Sequence, residues 1–407
     1  MLRCPLVSCK PILACALLLG AVLPVDDVRA AGFEIIYSFR GGSDGMGPYG
    51  GLYADAAGNL YGSTSGGGGN NGCGDNYGCG TVFKLAPDGT EAVLHAFGNA
   101  DDGAAPFGNL IADKTGNLFG TTEGGGVYGA GTAFRVTPGG KEEILYAFTG
   151  GNDGGAPYAG LLLKDGVFYG TAIQGGTYGG GTVFMLTQKG SETVLHAFGS
   201  GHDGNGPRAG VIMDKAGNLY GTTVGGGAHG QGIVFELAPG GGAETVLHSF
   251  ACCSDGSYPA ASLIMDKTGN LYGTTVSGGD NGGDMGTVFK LASDGTETVL
   301  HSFVGGEDGN GPFAALIEDK AGNLYSTTEE GGGLGGNDCS GYGCGTVFAV
   351  TPAGTEKVLH AFAAGSDGST PTGSLLELNG YLYGTTHLGG GTGCQGYGCG
   401  TIFRVKK

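Results

Sequence analysis

Four short runs of apolar, aromatic and β-branched residues, separated by Gly- and Asp-rich turns, recur along the chain about every 50 residues. We name the runs A to D, with examples at residues 316–317 (Leu-Ile), 218–223 (Asn-Leu-Tyr-Gly-Thr-Thr), 80–85 (Gly-Thr-Val-Phe-Lys-Leu) and 193–198 (Thr-Val-Leu-His-Ala-Phe). Runs of this length, bounded by Asp-Gly, Gly-Asn and Gly-Gly, are typical of β-strands. The pattern therefore predicts four strands in each repeat.

Seven copies of the repeat fill the chain. A Phe ends run D of each copy, and an Asp-Gly follows five residues later, at Asp44, Asp102, Asp153, Asp203, Asp255, Asp308 and Asp367. Seven four-stranded repeats predict an all-β fold, a seven-bladed β-propeller. The chain begins with a lone D strand and ends without one, so we expect the N-terminal strand to complete the last blade and close the ring. A β-helix is the alternative, but it predicts capping segments that the sequence does not show.

Composition narrows the possible functions. The 407 residues include 94 Gly, and 37 Asp+Glu against 19 Lys+Arg give a formal net charge of −18. So much glycine is incompatible with a helical bundle. Without a basic surplus, nucleic acid is not an expected partner. No run after the N-terminus is long and apolar enough to predict a membrane span.

The first thirty residues have the pattern of a signal peptide. Arg3 and Lys10 precede an apolar run over residues 11–25, and small residues at Val28 and Ala30 mark a cleavage site. We expect residues 1–30 to be removed and residues 31–407 to form a single exported propeller domain. The predicted location is secreted, periplasmic or on the bacterial cell surface, and the predicted state is a monomer.

The repeated motifs support a family resemblance. The runs Gly-Asn-Leu-Tyr-Gly-Thr-Thr, Gly-Thr-Val-Phe-Lys-Leu and Thr-Val-Leu-His-Ala-Phe resemble the GloVer (Gloeo/Verruco) repeat of secreted bacterial proteins, over residues 34–405. The resemblance implies an exported, propeller-like protein. It implies no established activity and assigns no catalytic residue.

Eight cysteines remain after the predicted cleavage, and they lie in close pairs. We expect disulfides in an oxidising compartment from Cys73 and Cys79, Cys339 and Cys344, Cys394 and Cys399, and the adjacent Cys252 and Cys253. No metal and no cofactor are expected. The alternatives are zinc at the cysteines and calcium at the Asp-Gly loops, which offer few carboxylates for such a cation.

One loop varies in length among the repeats. The separation from the run B aromatic to the run C Phe is 22, 23 and 20 residues in units 1, 6 and 7, but 15 to 17 elsewhere. In a closed ring these three units are neighbours, so the long loops should crowd one side of one face. Each holds a cysteine pair and a Tyr two residues before the second Cys, at Tyr77, Tyr342 and Tyr397. Rigid loops with tyrosines suggest a binding rim, although the disulfides would also protect long loops from proteolysis.

Residues after the repeated prolines should lie at the channel mouth on the same face, and they supply further candidate ligand-binding residues, namely Tyr49, Phe107, Tyr158, Arg208 and Phe313. The histidines of run D recur in most units, so we interpret them as structural. Residues that differ between units are better catalytic candidates, and on the crowded side these are His387, Glu329 and Glu330.

Three functions remain open from the sequence. The leading hypothesis is a non-catalytic exported propeller that binds a glycan or another extracellular polymer through the face of units 6, 7 and 1. The second is a polysaccharide lyase or hydrolase in which His387 and Glu329 or Glu330 act as base and acid. The third is a structural protein of the cell envelope.

Overall fold

A computed structural model describes residues 32–69, 73, 77–98, 101–199, 202–280, 284–333, 339 and 341–407. The predicted signal peptide, residues 1–30, lies outside the described residues. Seven four-stranded antiparallel sheets follow one another along the chain, each with strands in the order A, B, C, D. The prediction of a seven-bladed propeller is confirmed.

The strands of the seven blades have closely similar bounds. Strand A spans Tyr53–Ala54, Ile111–Ala112, Leu162–Lys164, Ile212–Met213, Ile264–Met265, Ile317–Glu318 and Leu376–Leu378 in blades 1 to 7. Strand B spans Leu60–Thr64, Leu118–Thr122, Val167–Ala172, Leu219–Thr223, Leu271–Thr275, Leu324–Thr328 and Tyr381–Thr386. Strand C spans Thr81–Leu85, Thr132–Val136, Thr182–Thr187, Ile233–Leu237, Thr287–Leu291, Thr346–Val350 and Thr401–Lys406. Strand D spans Glu91–Ala96, Glu142–Ala147, Glu192–Ala197, Glu244–Ser249, Glu297–Ser302 and Glu356–Ala361 in blades 1 to 6.

The ring closes as the odd ends of the sequence predict. Phe33–Ser38 supplies strand D of blade 7 and pairs antiparallel with Thr401–Lys406, with Phe33 opposite Val405 and Ser38 opposite Thr401. Arg404 also donates to the carboxylate of Glu34 across this pair, at 2.6 Å. Strand C of blade 7 is therefore paired on both sides, and blade 7 has four strands like the other blades.

Smaller elements occupy the loops. Two short ladders pair Gly103–Ala104 with Gly124–Gly125 and Gly204–Asn205 with Gly225–Gly226. Short 3₁₀ turns lie at Gly42–Asp44, Cys253–Asp255, Gly365–Asp367 and Cys394–Gly396. Over the residues that the structure describes, no helix has the length and apolarity that a membrane span requires.

Neighbouring blades pack through phenylalanine pairs. The Phe after strand D of one blade meets the Phe of strand C in the next, edge to face, with ring centres 5.0 to 5.2 Å apart. The pairs are Phe39–Phe83, Phe97–Phe134, Phe148–Phe184, Phe198–Phe235, Phe250–Phe289, Phe303–Phe348 and Phe362–Phe403. Each such pair contributes about 0.5 to 1.5 kcal/mol beyond the area that it buries. Strand B carries glycine where this ring lies over it, since a Cβ on Gly62 would come within 2.6 Å of Phe83.

A β-bulge in strand D directs two polar side chains to opposite neighbours. In blade 1, Val82 pairs with His95 but Phe83 pairs with Val93, so Leu94 is an extra residue. Side chains four residues apart on a regular strand point to the same face of the sheet. One extra residue between them turns the second side chain to the opposite face. Glu91 therefore faces the joint with blade 7, and His95 faces the joint with blade 2. The register shift recurs in the other blades.

Six of the seven joints between blades consequently collect three polar groups. His or Tyr of strand D bonds the Asp of the Asp-Gly turn, as in His95 Nε2 to Asp102 at 3.2 Å and Tyr146 Oη to Asp153 at 3.0 Å. The third group is the Glu that begins strand D of the next blade, here Glu142 and Glu192. At the joint of blades 6 and 7, Phe33 replaces this Glu and stacks on His360 with ring centres 3.5 Å apart.

Three of the four predicted cysteine pairs are disulfides. They join Cys73 to Cys79, Cys339 to Cys344 and Cys394 to Cys399. Cys252 and Cys253 are free thiols, with Sγ atoms 2.9 Å apart. Both have positive φ, 70° and 56°, at the positions that Gly41 and Gly42 occupy with φ of 74° and 61°.

We predict that replacing Cys252 and Cys253 together by glycine stabilises the fold by about 1 kcal/mol, because glycine adopts positive φ without the penalty that a Cβ brings. Equilibrium unfolding in guanidinium chloride measures the change. Gly42→Ala is the control, because a Cβ at this positive-φ position meets no atom within 4 Å, and it should destabilise through its backbone conformation alone. A stability loss in the glycine variant would contradict the prediction.

Joint glutamates also predict a pH dependence. Burial and then the nearby Asp153 carboxylate raise the pKa of Glu192 to about 7. The unfolded chain therefore releases this proton near pH 4.5, while the folded chain releases it only near pH 7. The stabilisation is complete below about pH 4.5 and is lost as the pH rises through about 7. Between pH 5 and pH 8 the free energy of unfolding should fall less in Glu192→Gln than in the parent. We expect the two decreases to differ by about 1 kcal/mol after allowance for solvent screening.

Thermal unfolding across this pH range measures the difference. The exposed Glu307 provides the control, since Glu307→Gln removes a carboxylate outside the joints. A Glu192→Gln profile parallel to that of the parent would contradict the prediction.

Candidate functional site

The residues that follow the repeated prolines come together at the centre of the ring. Tyr49, Phe107, Tyr158, Arg208 and Phe313 precede strand A of blades 1, 2, 3, 4 and 6. Blade 4 borders neither blade 1 nor blade 6 in the ring, so side chains from these blades meet only near its axis. We call these five residues the axial cluster.

Arg208 joins the axial cluster. Its Nη2 donates hydrogen bonds to Oη of Tyr49 at 3.1 Å and of Tyr158 at 3.0 Å. The guanidinium carbon lies 4.5 Å from the ring centre of Tyr158 and 5.2 Å from that of Phe313, and the rings of Phe107 and Tyr158 stack at 4.7 Å. Burial and the adjacent Tyr49 raise the pKa of Tyr158, so its phenol stays protonated at neutral pH. The aromatic residues proposed from the sequence thus contact one another, and ligand binding by them stays a prediction.

A cavity of about 520 Å³ opens between blades 7 and 1, beside the axial cluster. We call it the rim pocket. Its lining comes from the turn before strand A of blade 1, from the B-to-C loops of blades 7 and 1, and from Phe107 before strand A of blade 2. It comprises Met46, Gly47, Ser65, Gly66, Tyr77, Gly78, Phe107, His387, Leu388, Cys394, Gln395, Tyr397, Gly398 and Cys399. The volume lies in the range of small-molecule sites.

Two of the three predicted loop tyrosines border the rim pocket. Tyr77 is 46% exposed and Tyr397 is 63% exposed. Each precedes by two residues a buried half-cystine, Cys79 or Cys399, whose disulfide closes the loop. The loops are further tied down through their backbones, since Gly389 N donates to Tyr397 O at 2.8 Å. Exposed rings are therefore presented from closed loops.

His387 lies in the wall of the rim pocket. Its ring packs against Tyr49, with ring centres 5.8 Å apart, and its Nδ1 is buried with no hydrogen-bond partner among the described residues. Burial lowers the pKa of His387, although a contact with the Gly47 backbone opposes this. The imidazole is therefore neutral at neutral pH and offers an unused nitrogen beside the cavity.

The remaining candidates, Tyr342, Glu329 and Glu330, do not line the rim pocket. Tyr342 is 65% exposed and lines a separate depression of about 200 Å³ together with Met285 and Asn310. Glu330 accepts a hydrogen bond from Asn310 Nδ2 at 2.7 Å. Burial and then the neighbouring Glu330 raise the pKa of Glu329, while Arg208 opposes the shift. In the described part of the chain, no hydrogen bond or ion pair joins His387 to either glutamate, and a shared catalytic role of the three residues stays a prediction.

Some lining residues escaped the sequence analysis, although one left a signal. Met46 lies two residues after the Asp of the Asp-Gly turn, where the other repeats have Ala104, Gly155, Asn205, Ser257, Asn310 and Ser369. A large apolar side chain in one repeat, where the other repeats have a small or polar residue, indicates that the surroundings of Met46 differ from those of the equivalent residues. Leu388 and Gln395 carry no comparable signal.

The sequence matches the family model of the Gloeobacter/Verrucomicrobia repeat twice, over residues 20–212 and 164–403. No curated protein matches it.

Among solved structures, the fold is similar to the extracellular domain of a putative one-component system from B. thetaiotaomicron, with a TM-score of 0.57 at 12% identity. That alignment covers 92% of this chain and 40% of the other, so this chain spans less than half of its length. The oligogalacturonate lyase from Vibrio parahaemolyticus aligns with a TM-score of 0.51 at 11% identity, over 92% of this chain and 96% of that chain.

At such identities the structural similarity shows the fold alone. The family matches, by contrast, cover most of the sequence and coincide with the repeated blades. The chain belongs to the Gloeobacter/Verrucomicrobia repeat family.

Proposed function

We propose that this protein is an exported, non-catalytic propeller that binds a glycan or another extracellular polymer on its loop-rich face, centred on the rim pocket. The observation that carries the proposal is the pocket itself, a cavity of about 520 Å³ flanked by the exposed rings of Tyr77 and Tyr397. Three disulfides support an oxidising, extracytoplasmic location.

The lining suits a sugar polymer better than a highly charged ligand. Apolar and aromatic side chains dominate it, with Ser65, His387 and Gln395 as the polar side chains. Aromatic faces offer area to the C–H face of a pyranose ring, and scattered polar groups fix its orientation. Tyrosines on disulfide-closed loops lose little conformational entropy on binding.

The extent of the site distinguishes short from long ligands. Tyr342 lies in its own depression, between Met285 of blade 5 and the long loop of blade 6. We propose that a polymer reaches from the rim pocket to this depression, whereas a short oligosaccharide occupies the rim pocket alone. The face of blades 6, 7 and 1 would then contain two subsites.

Binding to a panel of plant and bacterial polysaccharides, measured by affinity electrophoresis and calorimetry, tests the proposal. We predict that Tyr77→Ala and Tyr397→Ala each weaken binding about 10-fold or more, equivalent to about 1.4 kcal/mol. Tyr342→Ala should weaken binding of the polymer but not of a short oligosaccharide.

Matched controls come from the short loops of blades 2 and 3. Tyr128 and Tyr178 are 63% and 62% exposed, so Tyr128→Ala and Tyr178→Ala remove equally exposed rings outside the site. Equal losses in these controls, or unchanged affinity in Tyr77→Ala and Tyr397→Ala, would refute the location. Absence of saturable binding to every polysaccharide would favour a structural role in the cell envelope.

One observation favours a second candidate, a polysaccharide lyase or hydrolase. His387 lines the rim pocket and its Nδ1 has no hydrogen-bond partner among the described residues, but this nitrogen is buried in the pocket wall, so the side chain would have to rotate before Nδ1 could accept a proton from a bound substrate. The sequence names Glu329 or Glu330 as the partner of His387. Neither glutamate lines the rim pocket, and Glu330 accepts a hydrogen bond from Asn310.

Mass spectrometry of the incubated polysaccharides separates the two candidates. The binding proposal predicts no new oligosaccharides. If products do form and His387 is the base, His387→Ala should abolish them, while Glu330→Gln should leave them unchanged. Products that persist in His387→Ala would eliminate the enzymatic assignment of this residue.

A further inference from the structure

Two joints between blades bring a histidine and two carboxylates to one point. Among the described residues, His95, Asp102 and Glu142 at the joint of blades 1 and 2, and His196, Asp203 and Glu244 at the joint of blades 3 and 4, each place three potential ligand atoms within 4.8 Å of one another. Both sets lie away from the rim pocket. Neither takes part in the proposed ligand binding.

The orientation of His196 directs a lone pair into its joint. Its Nδ1 lies 3.1 Å from the carbonyl oxygen of Gly242, which can only accept, so Nδ1 is the protonated nitrogen. In the neutral ring Nε2 then carries a lone pair. It lies 3.2 Å from Asp203 Oδ1 and 3.9 Å from Glu244 Oε2. Three electron-rich atoms therefore face one another, an arrangement that a cation stabilises.

Glu244 makes this arrangement costly without a partner. Its side chain is 8% exposed, and neither carboxylate oxygen has a hydrogen-bond partner within the described ranges. A buried carboxylate that lacks hydrogen bonds is strongly destabilised. Asp203 is held in place by the backbone amides of Gly199 at 3.2 Å and Gly204 at 2.9 Å.

The two joints share a backbone feature. The residues after the Asp form the short ladders of Gly103–Ala104 and Gly204–Asn205. In both joints the backbone amide of the next residue donates a hydrogen bond to the Asp side chain, from Gly103 to Asp102 Oδ1 and from Gly204 to Asp203 Oδ1, each at 2.9 Å. The carboxylate is thus oriented by local backbone before any ion binds, as metal ligands commonly are.

We propose that each of these two joints binds a divalent transition-metal ion of the zinc type, through one histidine nitrogen and two carboxylates. Zn–N and Zn–O bonds of about 2.0 to 2.2 Å separate tetrahedral ligands by about 3.3 to 3.6 Å. The distances at the blade 3 and 4 joint, 3.2 and 3.9 Å, bracket this spacing. The histidine nitrogen favours zinc over calcium, and water completes the coordination.

Such an ion would clamp strand D of one blade to strand D of the next. The ligands converge only when the two blades are docked, so the ion binds the folded ring and stabilises it. The alternative is a proton shared between Glu244 and Asp203. That alternative predicts no metal binding at the joints.

The test titrates tag-free, chelator-treated protein with Zn²⁺ by calorimetry and with Co²⁺ by its visible absorption. We expect Glu142→Gln and Glu244→Gln each to lower the stoichiometry by one ion per chain, and Zn²⁺ to raise the unfolding temperature of the parent. Glu192→Gln is the matched control, because its joint has Tyr146 in place of histidine, and should leave the stoichiometry unchanged. Ions held by the thiols of Cys252 and Cys253 are common to all variants and cancel in the comparison.

A second pair of variants exchanges the residues that different repeats have at the same position of strand D. His196→Tyr copies Tyr146 and should remove one ion while the blade folds. Tyr146→His should add one ion at the joint of blades 2 and 3. Unchanged stoichiometry in Glu244→Gln and His196→Tyr, or an equal loss in Glu192→Gln, would overturn the proposal.

Discussion

Closure of the ring is the constraint on which the rest of the structure depends. Phe33–Ser38 completes blade 7 from the opposite end of the chain, and the phenylalanine pairs then continue without a break around all seven joints. The rim pocket lies across the joint of blades 7 and 1, next to this closure. Its two walls are therefore held together by tertiary pairing of residues more than 300 positions apart.

The bulge in strand D is the second device that organises the molecule. It turns Glu and His of one strand toward different neighbours, so every blade contributes one group to each of its two joints. The joints between blades then differ from one another by single residues. Tyr146 replaces histidine and Phe33 replaces glutamate at individual joints, which gives chemically distinct joints within one architecture.

Much of the fold could be predicted because it rests on local patterns repeated seven times. Strand content, blade number, closure and three disulfides follow from periods and spacings in the sequence. The site was predictable only in part. Loop lengths indicated blades 6, 7 and 1, but not that Tyr342 and Tyr397 line different cavities, because each cavity also takes residues from a neighbouring turn or loop, Met46 beside Tyr397 and Met285 beside Tyr342. The joint glutamates were missed because the bulge reverses the face on which a residue four positions away lies.

The rim pocket as a polymer-binding site is tested most directly by hydrogen–deuterium exchange of the protein with and without a saturating polysaccharide from the panel. We predict that protection concentrates in residues 65–69, 77–80 and 387–399, on the loops that flank the pocket. Protection confined to the outer D strands, or no protection with any polysaccharide, would contradict the proposed site.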